Sequence, residues 1–326
     1  MSLLVVAALL TACSSRPVDT APPTIIPATA AVSPPAAAAP AGSVRALAGA
    51  PQAAVFDAKT STLAVLTAGT LTLLGPGGPP PRVIALPAPV SALAGSGDGQ
   101  LYLASRGGYF VADVAAGRVA RRDVDGQSGT DFTAIARRAD GKLVLGSADG
   151  AVFILSSPTT VGQRMQKIFA RVDSLVTQGD TTVVLDRGQT SVTTIDADGR
   201  AQQALRAGEG ATIMAADPAG RVLVTDTRGD ELLVFSVDPL IMRQRYPVPS
   251  APYGVSGSKQ LAWVSQTASN VVVGYDLATG IPVEKVRYPT VQQPNILTVD
   301  PATDTLYVVS GSGAGVQVIE HAAEPR

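Results

Sequence analysis

Three carboxylates crowd the stretch DVDGQSGTD, residues 123–131. A D-x-D-G run is how a calcium-binding loop begins, because alternate side-chain oxygens can wrap a hard cation. Such a loop needs a bidentate glutamate to close it, and none stands at the right spacing here. DADGR (196–200) and SGDG (96–99) have the same look and are more simply hairpin turns. The chain has one histidine, His321, close to its C-terminal end, and one cysteine, Cys13. Histidine is the commonest general base and metal ligand, and Ser/His/Asp or Cys/His catalysis needs an imidazole beside the nucleophile. No catalytic residue, cofactor or metal site is therefore assigned. GSGAG (311–315) lacks the strand–loop–helix setting of a phosphate cradle and reads as a turn.

Composition narrows the field further. Of 326 residues, 46% are apolar, enough for a large core, but only 4% are aromatic. Val, Leu, Ile and Ala must fill the interior. There are 25 Lys and Arg against 26 Asp and Glu, so no basic field exists to attract nucleic acid or anionic lipid. One cysteine allows no internal disulfide.

The first residues read as an address. LLVVAALL (3–10) has the length of a signal-peptide apolar region and is too short to span a bilayer. Leu10-Thr11-Ala12-Cys13 follows. This resembles the bacterial lipobox, and the resemblance implies cleavage after residue 12 and acylation of the Cys13 thiol, palmitate included. Met1-Ser2 supplies no cationic leader, which departs from the pattern and points to a start upstream. The plainer alternative is a cleaved secretory signal with an incidental cysteine. Residues 13–42 carry prolines 17, 22, 23, 27, 34, 35 and 40 among Ala, Thr and Ser, with no apolar period. They are expected to form a disordered, partly polyproline tether.

Past residue 50 the chain repeats. Units begin near Ala53, Val90, Phe132, Val172, Ala211, Pro252 and Pro294, spaced 37–42 residues apart. Each has a short apolar strand, a turn such as DPAG (217–220), an apolar strand, a polar turn, an alternating strand and a more polar closing segment. Four short strands at a period near 40 predict a β-propeller. In the third unit QRMQKIFARV (163–172) places apolar residues at helical spacing, but its place in the repeat makes it the fourth strand. The seventh unit has only three strands. SVRALA (43–48) belongs to no unit, and paired on residues 316–320 it would complete that blade. Closure removes an open edge and ties the termini together. The expected fold is all-β: a seven-bladed β-propeller of four-stranded antiparallel blades over residues 43–321, the last completed by an N-terminal strand, with a tail at 322–326.

LTVDPATDTLYVVSGSGAGVQVIE (297–320) and AADPAGRVLVTDTRGDELLVFSV (215–237) resemble the YVTN/YncE-like and NHL-like propeller repeats of bacterial envelope proteins. The resemblance implies secreted or envelope-anchored binding and scaffold roles, and leaves activity open because propellers host many functions.

In a four-stranded blade, the lead-in to the first strand and the turn between the second and third lie on one face, around the channel mouth. That face collects Ser91, Asp131, Asp173, Thr212, Tyr253 and Asn295 from lead-ins. It collects Arg106, Asp149, Arg187, Arg228, Gln266 and Ser312 from turns. Tyr253, Asn295, Asp131, Asp173, Arg228 and Gln266 are the candidate ligand-binding residues; the alternative is that they are ordinary solvated turn residues. Tyr253 and Asn295 each follow a proline, and only two asparagines exist, Asn270 and Asn295.

The sequence thus favours a non-catalytic, lipid-anchored propeller on the outer side of the cytoplasmic membrane. Its partners would be the membrane, through the anchor, and an envelope protein, glycan or small ligand. A metal-assisted hydrolase or lactonase is the alternative.

Overall fold

The computed structural model describes residues 23–78, 80–165 and 168–324. Among them there is no helix, and 28 strands form seven four-stranded antiparallel sheets. Each sheet is one blade. Blades 1–6 take residues 51–85, 92–123, 132–165, 174–206, 211–247 and 252–289, their strands ordered outward from the axis.

Blade 7 is built differently. From the inside it runs Pro294–Asp300, Thr305–Ser310, Val316–Ile319, and then Ser43–Arg45 from the other end of the chain. The register places Ser43 opposite Val318, Val44 opposite Gln317 and Arg45 opposite Val316. The seventh blade is closed as its missing strand implied. The pairing is shorter than the expected 43–48, and Leu47 turns instead into the seam between blades 7 and 1. A glycine permits the approach. A Cβ on Gly42 would stand 2.1 Å from the Val318 carbonyl oxygen, and Gly42 has φ +72°.

Blade 5 shows how sequence becomes blade. Arg221–Asp226 and Glu231–Val237 are sandwiched between neighbours and are apolar on both faces. Leu240–Pro247 lies at the rim, so its exposure alternates and its Arg243 and Arg245 tolerate solvent. In the turn Asp217–Gly220, the Asp217 carboxylate accepts from Ala219 N at 2.7 Å, and Gly220 takes φ +82°. In blade 3 the fourth strand is Val161–Met165. The apolar residues beyond it, Phe169 and Val172, are buried in a non-strand lead-in, packed between blades 3 and 4.

The core is a cycle of seven apolar clusters, each shared by two adjacent blades. One of them joins blade 1 to blade 7 through Phe56, Leu63, Val65, Val309 and Val316. Phe56 stacks on Tyr307 there, with ring centroids 5.5 Å apart. No blade buries both faces alone, so the ring is one cooperative unit. The seven inner strands surround an axial channel of about 810 Å³. Small residues such as Ala53, Ala94, Ala215 and Gly254 line it together with larger ones such as Leu93, Arg137 and Ile213.

Candidate functional site

The lead-ins and the second-to-third turns do share a face, here called the upper face. Arg106, in a blade 2 turn, pairs with Asp131 of the blade 3 lead-in at 3.6 Å, and their backbones form a bridge. In blade 4 the Arg187 amide donates to Asp173 Oδ2 at 2.8 Å. Thr227 Oγ1 donates to the Pro252 carbonyl at 2.6 Å, tying blade 5 to blade 6.

Beneath this face lies a feature the sequence reading missed. The last residue of every second strand is polar and buried: Thr67, Ser105, Ser147, Asp186, Asp226, Gln266 and Ser310. Ser105 and Ser310 donate to the Pro89 and Gln292 carbonyls at 2.7 Å. Asp226 accepts from the amides of Glu209, Gly210 and Gly229 at 2.7, 2.8 and 3.0 Å. Asp186 likewise accepts from Ala170 and Gln189 at 2.7 and 2.9 Å. These groups pin the face-forming loops to the blades. A polar residue ending an apolar strand in seven successive repeats was the available signal.

The six candidate residues divide accordingly. Gln266 belongs to this buried layer; it is 2% exposed and its Oε1 accepts from Arg287 at 3.1 Å. Tyr253 is half-buried, and its carbonyl accepts from Thr225 Oγ1 at 2.6 Å. Asn295 lines the channel and accepts from Gln293 Nε2 at 3.0 Å. Asp131 and Asp173 stand in the lead-ins of blades 3 and 4, each facing an arginine, Arg106 and Arg171, the latter at 3.2 Å. Burial raises the Asp173 pKa above its ordinary value, opposed by the Arg187 amide and by the charges of Arg171 and Arg187. Arg228 stands on the surface of the blade 5 turn. They are not one cluster: Asp131 sits on the blade 2–3 side, Arg228 and Asn295 on the blade 5–7 side.

On the first side the face opens into a pocket of about 840 Å³ between blades 2 and 3. Its apolar wall includes Val90, Phe110 and Phe132, and its rim carries Arg106, Arg121 and Arg171. Arg121 lies 5.0 Å over the Phe110 ring and pairs with Asp123 at 2.8 Å.

On the second side the face is covered. The sequence pointed to a free tether over 13–42, but residues 24–34 lie along blades 4–7, hydrogen-bonded to their turns. Ile25 N donates to Gly188 O at 2.7 Å, and Arg228 Nη2 donates to Ile26 O at 2.8 Å. Ser33 Oγ donates to Thr267 O at 2.7 Å. Composition could not show this, because most of the contacts use main-chain groups that every residue possesses. The earlier part of the segment and the acylation site Cys13 lie outside the described residues.

The acidic loop 123–131 does not gather its oxygens. Asp123 faces Arg121, Asp125 accepts from Thr159 and Thr160 at 3.2 Å each, and Asp131 faces Arg106. Among the described residues, no three His, Cys, Asp or Glu side chains are placed to hold a metal ion. None of their helices could cross a membrane, there being none.

The class this geometry defines is the seven-bladed β-propeller. No family model matches the chain, and no curated protein does. Solved structures match it closely in shape. A chain of the Mitotic Checkpoint Complex aligns with TM-score 0.72 at 12% identity, covering 90% of this chain and 99% of that one. Kuenenia stuttgartiensis hydrazine synthase gives TM-score 0.68 at 14% identity, over 84% and 96% of the two chains. Virginiamycin B lyase from Staphylococcus aureus gives 0.66 at 10% identity, over 81% and 92%. A checkpoint complex, a synthase and a lyase sharing one ring at such identities show the fold alone.

Proposed function

We propose that this protein is a lipid-anchored envelope propeller that binds a protein, glycan or small ligand on its upper face, without catalysis. The observation that carries the reading is the pocket between blades 2 and 3. It has an apolar wall and a rim of three arginines, each facing an aspartate. Such a combination forms a recognition surface suited to an amphiphilic ligand with an anionic group. The same pairing engages the carboxylates that acid–base chemistry would otherwise use.

The anchor rests on Leu10-Thr11-Ala12-Cys13 following the apolar run. Two or three acyl chains hold a protein stably at a bilayer. With residue 24 held against blade 4, the eleven-residue spacer from Cys13 reaches at most about 34 Å at polyproline rise. Intact mass of the membrane-extracted protein tests the anchor: diacylation at Cys13 is expected, and an unmodified, freely secreted chain contradicts it.

Crosslinking in intact cells, followed by capture of the protein, tests the binding role. A partner or ligand held by the parent chain should be weakened roughly tenfold by Arg106→Ala, and further by Arg171→Ala. Turnover of esters or lactones that is abolished by a chelator would overturn the reading in favour of a hydrolase.

A further inference from the structure

The segment lying over blades 4–7 is held in an unusual way. Residues 23–36 carry no turn or strand and include Pro23, Pro27, Pro34 and Pro35. An extended proline-rich chain has no internal hydrogen bonds, so its carbonyls are all free to accept. Here five side-chain donors meet four of them. Arg228 Nη2 donates to Ile26 O at 2.8 Å, and Arg187 Nη2 donates to Ala28 O. Gln293 Nε2 donates to Ala31 O at 2.7 Å. Asn270 Nδ2 and Gln292 Nε2 both donate to Pro34 O, at 2.8 and 2.9 Å. These donors come from blades 4, 5, 6 and 7 in turn.

Two side chains of the segment are also read. Ser33 Oγ donates to Thr267 O at 2.7 Å and accepts from Gln293 N at 2.9 Å, while Ser33 N donates to Gln293 Oε1 at 3.1 Å. Ala28 is 8% exposed and sits against Gly210, where an added Cβ would come within 3.0 Å of the Ala28 Cβ. Two of its three large aliphatic side chains are not read. Ile26 and Val32 are 85% and 90% exposed. A segment that served only to complete the core would bury those two residues first. This one is bound through its backbone, a serine and an alanine.

We propose that the upper face over blades 4–7 is a binding groove for extended proline-rich peptides of the form Pro-Ala-x4-Ser-Pro. Residues 27–34 of this chain occupy it in cis, as a built-in competitor that a partner segment of the same chemistry displaces. The donors select an extended backbone, Gly210 admits only a small residue at the alanine position, and Ser33 fixes the register. Prolines suit the other positions because their missing N–H is not called for. A tethered occupant competes at an effective concentration of about millimolar, which makes the groove respond to locally concentrated or multivalent partners. The inference rests on the upper face being the recognition surface, but it concerns the side opposite the arginine-rimmed pocket.

The test uses the full chain with a protease site placed over residues 36–39, which are exposed and leave the closing strand Ser43–Arg45 intact. The probe is a fluorescein-labelled peptide of residues 23–35, PTIIPATAAVSPP. Fluorescence anisotropy after cutting should show saturable binding, at least tenfold tighter than to the uncut chain. If the cut fragment stays bound, exchange of the labelled peptide into the nicked chain gives the same answer. Gln293→Ala with Arg228→Ala should weaken binding at least tenfold, as should Ser33→Ala in the peptide. Circular dichroism melting confirms that the variant ring is folded. No uptake of the peptide by the nicked chain, equal uptake by the uncut chain, or indifference to these substitutions would each overturn the proposal. Arg106→Ala with Arg171→Ala should leave peptide binding unchanged, so failure here is distinguishable from failure of the pocket reading.

Discussion

Val44 and Gln317 face each other across the outer strands of blade 7, although 273 positions separate their numbers in the chain. The Gln317 side chain reaches past the pair. Its Nε2 donates to Ala41 O at 2.8 Å and to Pro289 O at 3.0 Å, and its Oε1 accepts from Val291 N at 3.1 Å. It is wholly buried. One amide therefore joins the N-terminal segment, the end of blade 6 and the lead-in to blade 7.

Replacing that amide by a hydrocarbon of similar size should be costly. Gln317→Leu leaves the Ala41 carbonyl and the Val291 amide unpaired in the interior, each worth about 1–3 kcal/mol, while the Pro289 carbonyl keeps its bond from Ala41 N. We expect a loss of about 3 kcal/mol and a melting temperature lower by roughly 6–10 °C, for a ring of this size. Differential scanning calorimetry is the check, and an unchanged transition would show that the seam does not depend on this residue.

The buried carboxylates below the upper face should behave in the same way. Asp226→Ala orphans the amides of Glu209, Gly210 and Gly229 and should destabilise by about 3 kcal/mol or more. Because those amides sit beside Ala28 and Arg228, the variant should also expose residues 24–34 to proteolysis below its melting temperature. Time-resolved digestion read by mass spectrometry follows both effects. Asp226→Asn, which keeps an acceptor, should be the milder change.

Asp173 gives a pH dependence of definite sign. Burial lifts its folded-state pKa above the unfolded value, so the folded chain binds the proton more tightly. Its contribution to stability is fully present below the unfolded pKa and is lost as pH rises through the folded one. Glu284 works in the opposite sense. The hydrogen bonds from Arg287, at 2.8 and 2.7 Å, lower its pKa, and that stability is lost as pH falls through the folded value. Chemical denaturation of Asp173→Asn across the carboxylate range should therefore gain on the parent as pH rises. A gap that is constant with pH would contradict the assignment.

Much of the fold could be read from the chain because its signals are local and repeated. Turns such as DPAG at 217–220 recur with the period of a blade, and a three-stranded last unit left one strand to be supplied. The third blade was harder: Phe169 and Val172 look helical because they plug the cleft between two blades from an irregular segment, where no period applies. The site was legible only as a face. Arg228 lies on that face and Asn295 lines the channel, but Gln266 belongs to the layer of seven buried polar residues beneath it. Asn270, Gln292 and Gln293 went unnoticed as peptide contacts. Their partners are main-chain carbonyls 236, 258 and 262 residues away, and a carbonyl leaves no mark in a sequence.

The central claim is that residues 42–48 close the ring. Two truncations isolate them: a chain beginning at residue 42, which keeps Ser43–Arg45, and one beginning at residue 49, which does not. Both lack the segment over blades 4–7, so their melting temperatures differ only through the closing strand and the Leu47 that follows it into the seam. The shorter chain should melt at least 10 °C below the longer one, or fail to remain soluble, because blade 7 then presents an open edge. Equal melting temperatures would contradict the account.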